Sequence, residues 1–179
     1  MCAREGGGEP QARRRAFGRS EWLSRVLAQD DFFGRIALET MRKFNTPGMY
    51  HALALLDLQE GETLLEICTG PGLGMEEALK YTGVKVIGVD LSPHMVQLAS
   101  ARNARAIAEG RGSVHAGSVE DLSFLPSASV DKVFHMNCIY FWPDLSAALQ
   151  ELLRVLKPQG RMLTATKFAH TQVSEFDNP

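Results

Sequence analysis

The sequence predicts an α/β fold in which helices cover both faces of a doubly wound sheet of about five parallel strands. Short apolar runs alternate with amphipathic helical segments from residue 62 to residue 168. The first run leads into a loop with glycine at every second position, residues 64–74 (LLEICTGPGLG). The second run ends on Asp90, and Ser92 and Pro93 then suit the N-cap and first turn of a helix.

Length and composition favour one globular domain. The chain has 179 residues, of which 45% are hydrophobic and 22% are charged. A formal net charge of −2 gives no electrostatic reason to expect nucleic-acid binding. We see no apolar run near the roughly 18 residues that a membrane span requires. The scattered Cys2, Cys68 and Cys138 lack metal-ligand spacing, so we expect no metal site and a reducing, cytoplasmic location.

The pattern divides the chain into a domain between two tails. Residues 1–20, rich in glycine and arginine, are predicted to form a disordered tail. Their arginines are typical of a mitochondrial targeting segment, the alternative location, but Glu5 and Glu9 are not. Residues 21–168 form the predicted domain, which consists of a helical cap (21–61) and a ligand-binding core (62–168). Residues 169–179 form a C-terminal tail.

The predicted elements follow from hydrophobic spacing and from proline and glycine breaks. A helix spans residues 20–44, a break lies at residues 45–48 (NTPG), and a second short helix covers residues 49–56. Three later helices are predicted: one begins at residue 73, one spans residues 92–109 and one spans residues 144–156. Residues 157–160 (KPQG) end the last of them. The predicted strands are residues 62–68, 84–89, 113–116, 130–136 and 161–168, with a loop at residues 117–129.

Chemically distinctive residues are predicted to meet at one edge of this sheet. Ligands of such sheets bind outside the carboxyl ends of the strands, beside the first strand. Residues 66–74, Asp90, the loop near Ser118 and the stretch after Met136 all fall on that edge. A carboxylate in a buried strand costs several kcal/mol unless it is paired. We therefore expect Glu66 to meet either loop amides or donors of a ligand.

The glycine spacing separates two kinds of nucleotide ligand. The dinucleotide fingerprint requires G-x-G-x-x-G. Gly70 and Gly72 fit its first two positions, but its third falls on Met75, and the third glycine lies one residue early at Gly74. Asp90 has the position expected of an acid that binds ribose hydroxyls. The residues favour an adenosine-bearing ligand with an amine or cation, and an NAD-dependent oxidoreductase is the disfavoured alternative.

Four segments, in order and spacing, resemble the motifs of class I S-adenosylmethionine-dependent methyltransferases. They are residues 64–74, 86–95 (VIGVDLSPHM), 117–122 (GSVEDL) and 153–160 (LRVLKPQG). The likeness covers about residues 45–168, and residues 137–143 (NCIYFWP) further resemble a small-molecule subgroup. The resemblance implies a Rossmann-like, three-layer αβα fold, S-adenosyl-L-methionine as cofactor, and methyl transfer to a small-molecule acceptor.

The resemblance also implies roles for matching positions. Glu66 would interact with the amino end of the cofactor, directly or through water, and Asp90 would accept both ribose hydroxyls. Leu91 and Val119 would flank the adenine, with Ser118 near its amine. Cys68 replaces the usual first glycine, and Ser118 replaces a common acid. The implied cofactor-binding set is Glu66, Cys68, Thr69, Gly70, Gly72, Asp90, Leu91, Ser118, Val119 and Asn137.

The catalytic candidates His135, Asn137 and Tyr140 occur where the fourth strand ends. Asn137-x-x-Tyr140 has the spacing with which some methyltransferases hold a target amine, but it lacks the two prolines of that motif. His135 is either a strand residue or a general base, which is needed only if the acceptor loses a proton early. The aromatic residues 140–142 either line an acceptor pocket or pack beneath the N-terminal helices.

The C-terminal end differs from the family pattern, which continues with a helix and an antiparallel hairpin. Only 11 residues follow Phe168. The fifth strand is therefore expected to be an exposed edge, which invites pairing. A homodimer could cover that edge. The alternative function is a cofactor-binding pseudoenzyme or a truncated regulatory isoform without catalysis.

Overall fold

Five parallel strands form the centre of the computed structural model, which describes residues 32–166 and 173–177. The strands are β1 (Thr63–Ile67), β2 (Lys85–Asp90), β3 (Gly112–Ala116), β4 (Val130–Met136) and β5 (Leu156–Ala165), and β6 (Val173–Asp177) adds to the last. Their spatial order is β3-β2-β1-β4-β5-β6, and β6 alone is antiparallel. The predicted N-terminal tail lies outside the described residues.

Helices cover both faces of the sheet. They are α1 (Phe32–Leu56), α2 (Leu73–Ala78), α3 (Pro93–Arg102), α4 (Ala104–Ala108) and α5 (Leu145–Val155), with a 3-10 turn at Ile139–Phe141. Ser92 caps α3, as predicted, since its side chain accepts from the amide of Met95. This arrangement confirms the predicted α/β fold with a Rossmann-like parallel sheet.

Two cores lie on opposite faces of the sheet because side chains alternate along each strand. Leu64 of β1 packs on the face that carries α1 and α2, and Leu65 packs on the face that carries α5. From α5, Ala148, Leu152 and Val155 enter the second core, because their helical spacing places them on one face of the helix.

The strand register aligns the functional edge. Ile67 of β1 pairs with Val89 of β2 and with His135 of β4. Because these pairs are level, the next residue of each strand lies at the same edge of the sheet. Cys68, Asp90 and Met136 thus mark the place where the glycine loop and the later candidates gather.

Helix α1 runs through the break that was predicted at residues 45–48. Pro47 lies inside it, although proline removes one helical hydrogen bond. Three buried side chains hold the segment after Pro47 against the sheet, namely Met49, Leu53 and Leu56. Gly48 lies so close to Met136 that a Cβ there would be 2.9 Å from the methionine Cε. Packing therefore overrides the local signal, and the predicted break is wrong.

The helix predicted over residues 92–109 is interrupted at Asn103, which lies between α3 and α4. Its side-chain amide and its backbone N–H both donate to the carbonyl of Ala99. Asparagine side chains compete with the backbone for hydrogen bonds in this way, which explains the interruption.

The fifth strand also differs from its predicted extent. β5 begins at Leu156, because residues 157–160 extend the strand after ending α5, and residues 167 and 168 lie outside the described residues. Its outer edge is not open, since β6 pairs with it from Arg161↔Asp177 to Ala165↔Val173. The expected exposed edge is thus covered by a segment of the predicted C-terminal tail.

Candidate functional site

The glycine loop follows β1 and encloses the carboxyl group of Glu66. That side chain is 5% exposed, and its Oε2 accepts a 2.6 Å hydrogen bond from the Thr69 hydroxyl. Burial raises the pKa of Glu66 to about 7, although the Thr69 hydroxyl and the Met75 amide lower it. The nearby Asp90 carboxylate raises it further. The Thr69 hydroxyl and the Met75 amide therefore supply some of the hydrogen-bond donors that were expected for this buried acid.

Gly74 is explained by the same carboxyl group. A Cβ at Gly74 would overlap with Oε1 of Glu66, so glycine leaves room for the acid in its present position. The one-residue displacement of the third glycine, which set the loop apart from the dinucleotide fingerprint, thus has a direct steric cause. Gly70 differs, because a Cβ there would meet no described atom within 4 Å. The loop is packed at Gly74 and open at Gly70.

Asp90 joins the end of β2 to the glycine loop. Its Oδ2 accepts from the amide of Gly70 at 2.8 Å, and its Oδ1 accepts from the amide of Ser92 at 2.9 Å. Burial raises the pKa of Asp90, although these two amides lower it. A carboxylate offers about four lone-pair sites, so capacity for two further donors remains.

Cys68 occupies a backbone conformation that favours glycine. Its φ is +56°, in the left-handed region where a side chain costs about 1–2 kcal/mol. This conformation is consistent with the glycine that the resemblance implied at this position. The thiol of Cys138 lies close by, bonded to the carbonyl of Ile67 at 3.8 Å. Contact with Cys68 and burial raise the pKa of Cys138.

Comparison with known families shows which family the chain belongs to. The family model described as "Methyltransferase domain" matches residues 65–164, which include the glycine loop, Asp90 and β4. The chain belongs to the Methyltransferase domain family.

Individual relatives agree with this assignment. The chain is 33% identical over 107 residues to the uncharacterized methyltransferase YdaC of Bacillus subtilis, covering 59% of this chain and 56% of YdaC. It is 29% identical over 126 residues to a ubiquinone biosynthesis O-methyltransferase of Xanthomonas oryzae, covering 70% and 51% of the two chains. The chain thus spans about half the length of these curated relatives.

Solved structures show the same methyltransferase fold. A chain from the complex between the Trm112 methyltransferase activator of Haloferax volcanii and a methyltransferase has a TM-score of 0.69 and 30% identity, covering 80% of this chain and 59% of that one. Phosphoethanolamine N-methyltransferase 2 of Haemonchus contortus has a TM-score of 0.60 and 26% identity, over 67% and 28% of the two chains. The latter holds S-adenosylhomocysteine and phosphomonomethylethanolamine.

The residues expected at the adenine end of this methyltransferase domain lie in different surroundings. Leu91 is 76% exposed next to Asp90, whereas Val119 is buried in the core on the α5 face. The Ser118 hydroxyl lies 3.4 Å from Glu120 Oε2 and accepts from the amide of Glu120. The structure therefore presents Leu91 at the surface and folds the loop inward at Val119.

Asn137 and Tyr140 lie just beyond the end of β4. Asn137 has a φ of +54°, and its side-chain amide donates to Oδ1 of Asn45 in α1 at 3.2 Å. Tyr140 is half exposed and contacts Phe141 edge to face. Burial and the Cys138 and Cys68 thiols raise the pKa of Tyr140. This tyrosine is therefore near the thiols beside the glycine loop.

His135 is placed inside the protein. It is fully buried, its Nε2 forms a 2.8 Å hydrogen bond with the Thr164 hydroxyl, and its ring packs on Trp142. Its Nδ1 has no hydrogen-bond partner among the described residues. Burial lowers the pKa of His135 to about 4, so the ring is neutral at pH 7. A buried neutral ring bonded to Thr164 suits a strand residue better than a base that meets an acceptor.

Sequence reasoning missed three residues at the loop and its neighbourhood. Arg102 and Asn103 donate to carbonyl oxygens of the glycine loop, and Asn45 contacts Asn137. Asparagine within a predicted helix is a signal that could have singled out Asn103. Asn45 and Asn137 are 92 residues apart, and no local pattern marks their contact.

Residues 32–166 and 173–177 contain neither a metal-binding cluster nor a membrane-spanning helix. In these ranges no three or more His, Cys, Asp or Glu side chains cluster closely enough to hold a metal ion. Nor is any helix there both long and apolar enough to span a bilayer.

Proposed function

We propose that this domain binds S-adenosyl-L-methionine at the carboxyl edge of β1 and β2 and transfers its methyl group to a small-molecule acceptor. The observation that carries the proposal is the glycine loop after β1, which lies in space between the carboxyl groups of Glu66 and Asp90. Two acids flank it, it is open at Gly70, and it lacks the third glycine position of a dinucleotide site. Family membership supports the same cofactor, and a neighbour at 26% identity holds its demethylated product.

Each residue of the site has a chemical role in this proposal. Asp90 uses its remaining lone pairs for the two ribose hydroxyls, while its bonds to Gly70 and Ser92 hold it in place. Glu66 interacts with the amino group of the methionine portion of the cofactor. Where the enclosed carboxyl group cannot contact that amino group directly, a water molecule connects the two. The loop that contains Cys68 and Thr69 lies along the methionine portion. The adenine side is formed by Leu91, Ser118 and Val119, and Asn137 completes the cofactor set.

Catalysis in this domain would depend on alignment. When bound, S-adenosyl-L-methionine supplies an activated methyl group that is transferred by in-line displacement. The protein has to hold an acceptor atom about 3–3.5 Å from that methyl carbon and to exclude water. Asn137 and Tyr140 lie at the edge where they can orient an acceptor, whereas His135 supports β4 from inside. The small-molecule class of acceptor is supported by phosphomonomethylethanolamine in the Haemonchus contortus structure.

Calorimetric titration tests the cofactor. We expect S-adenosylmethionine and S-adenosylhomocysteine to bind and NAD not to bind. Asp90→Ala should weaken binding by at least about 100-fold, since hydrogen bonds to a charged group contribute roughly 1.5–3 kcal/mol each. Asp121→Ala removes an equal charge from an exposed loop residue and should leave affinity unchanged.

The outcomes separate the candidate functions. NAD binding without S-adenosylmethionine binding, or unchanged affinity of Asp90→Ala, would reject the proposed site. Transfer of a labelled methyl group into the small-molecule fraction of a cell extract would establish catalysis and reveal the acceptor. Cofactor binding with no transfer in that assay would favour the pseudoenzyme instead.

A further inference from the structure

We propose that Asn103, assisted by Arg102, is a positioning residue that holds the glycine loop ready for its ligand. The inference rests on the proposed cofactor site. It assigns a role to the junction of α3 and α4, which lies outside the residues expected to contact the cofactor. Three contacts connect this junction to the loop.

The first contact is a buried hydrogen bond. Asn103 is 4% exposed, and its Nδ2 donates to the Gly72 carbonyl at 3.1 Å and to the Ala99 carbonyl at 2.9 Å. The side chain thus connects the end of α3 to the last residue of the loop before α2. Because the donor is buried, water cannot readily replace it.

The second contact comes from the neighbouring residue. Arg102 donates from Nε to the carbonyl of Pro71 at 2.9 Å, and its Nη1 lies 3.1 Å from the Glu76 carboxylate of α2. Two consecutive loop carbonyls, those of Pro71 and Gly72, are therefore held by two consecutive side chains. These two hydrogen bonds restrict rotation of the peptide groups that carry the two carbonyls, within the loop itself.

The third contact is steric. Gly72 has a φ of +78°, and a Cβ there would lie 2.6 Å from Nδ2 of Asn103 and 2.8 Å from Cα of Ala99. The loop backbone thus packs directly on the junction. Gly70 opens away from described atoms, and its amide bonds to Asp90. The junction therefore restrains the packed end of the loop and leaves Gly70 available to a ligand.

The chemistry of the contact requires a donor. Two carbonyl oxygens converge on Nδ2 of Asn103, so an amide satisfies both of them. Aspartate has the same shape, but it would place acceptor oxygens against these carbonyls. Without the donor the loop becomes mobile in the free protein, and a ligand must order it on binding. Such ordering reduces affinity even when every ligand contact is retained.

Hydrogen exchange in the free protein tests the restraint without any ligand. In Asn103→Ala we expect the amides of Gly70 and Gly72 to exchange about fivefold faster, since a hydrogen bond contributes roughly 1 kcal/mol. Arg102→Ala should show a smaller increase, because Arg102 is more exposed. Arg105→Ala is the matched control on α4, since Arg105 is bonded only to Glu109 in the described structure.

Calorimetry with S-adenosylhomocysteine then tests the consequence for binding. We expect the Kd of Asn103→Ala to rise about tenfold and that of Asn103→Asp to rise further, with Arg105→Ala unchanged. Val155→Ala, in the core on the other face of the sheet, provides a control for lost stability. It should lower the melting temperature and leave the Kd unchanged.

Each result either supports or rejects the positioning role of Asn103. If Asn103→Ala changes neither exchange nor Kd, or if Val155→Ala raises the Kd as much, the positioning role is rejected. Should Asn103→Asp fail to fold, Asn103→Ala and Arg102→Ala carry the test. If the wild-type protein binds no S-adenosylhomocysteine, the proposed function fails, whereas the exchange rates still report on the restraint.

Discussion

The carboxyl group of Glu66 couples the fold to pH. Its pKa is raised to about 7 in the folded protein from an ordinary value of 4.5, chiefly by burial. Between these two values the folded state binds more protons than the unfolded state. The contribution of Glu66 is therefore most favourable below pH 4.5 and is lost as the pH rises through about 7.

Replacing Glu66 with glutamine should remove this loss. The free energy of unfolding of Glu66→Gln relative to wild type should increase by about 2.5 kcal/mol from pH 5 to pH 8, because the pKa of Glu66 is 4.5 in the unfolded chain and about 7 in the folded protein. Urea unfolding at several pH values measures it. His135, whose pKa is lowered to about 4, acts in the opposite sense below pH 6.5, so the difference between the two proteins is the informative quantity.

Helix α1 carries a proline at a cost. Pro47 removes a hydrogen bond from the helix interior, and the buried residues Met49 and Leu53 after it keep the segment helical. We expect Pro47→Ala to raise the free energy of unfolding by about 2 kcal/mol. Denaturant unfolding checks this, with Pro143→Ala outside any helix as the control, which should not be stabilised. Unchanged or reduced stability of Pro47→Ala would show that the helix geometry at Pro47 is needed for packing.

The elements that could be predicted from sequence are those governed by local pattern. The helix α5, the run of β4 and the Ser92 cap all depend on neighbours within a few residues, and the structure has them close to where the sequence pattern placed them. The continuity of α1 could not be predicted, because Gly48 packs closely against Met136, which is 88 residues further along the chain.

The candidate site divides in the same way. Glycine spacing and Asp90 predicted the edge of the sheet at which the loop and this acid meet, and the kind of ligand stays a prediction. The interior position of His135 could not be predicted, since its partner Thr164 belongs to another strand. The hydrogen bonds from Arg102 and Asn103 to the glycine loop could not be predicted either. Their acceptors are backbone carbonyl groups, which every residue has, so no residue type in the sequence marks them.

At the scale of the whole molecule, β6 closes one side of the sheet. It pairs with β5 over residues 173–177, so the backbone groups on that edge of β5 are used within the chain. The homodimer proposed to cover an open fifth strand is therefore not required for that purpose.

Removing β6 should restore the open edge. A chain that ends at residue 172 is expected to associate as its concentration rises, because an unpaired strand edge offers hydrogen bonds to another chain. Size-exclusion chromatography with light scattering compares it with the full chain over a range of concentrations. A shortened chain that stays at the mass of the full chain would show that something other than β6 protects β5.

The contact between Gly74 and Glu66 has a consequence for how substitutions at the two positions combine. A Cβ at position 74 would overlap with the Glu66 carboxyl group, so Gly74→Ala requires that carboxyl group to move from its enclosed position. A smaller residue at position 66 would remove the overlap, and the effects of the two substitutions on stability are therefore not expected to add. Alanine at position 74 should cost less stability when the acid is absent than when it is present.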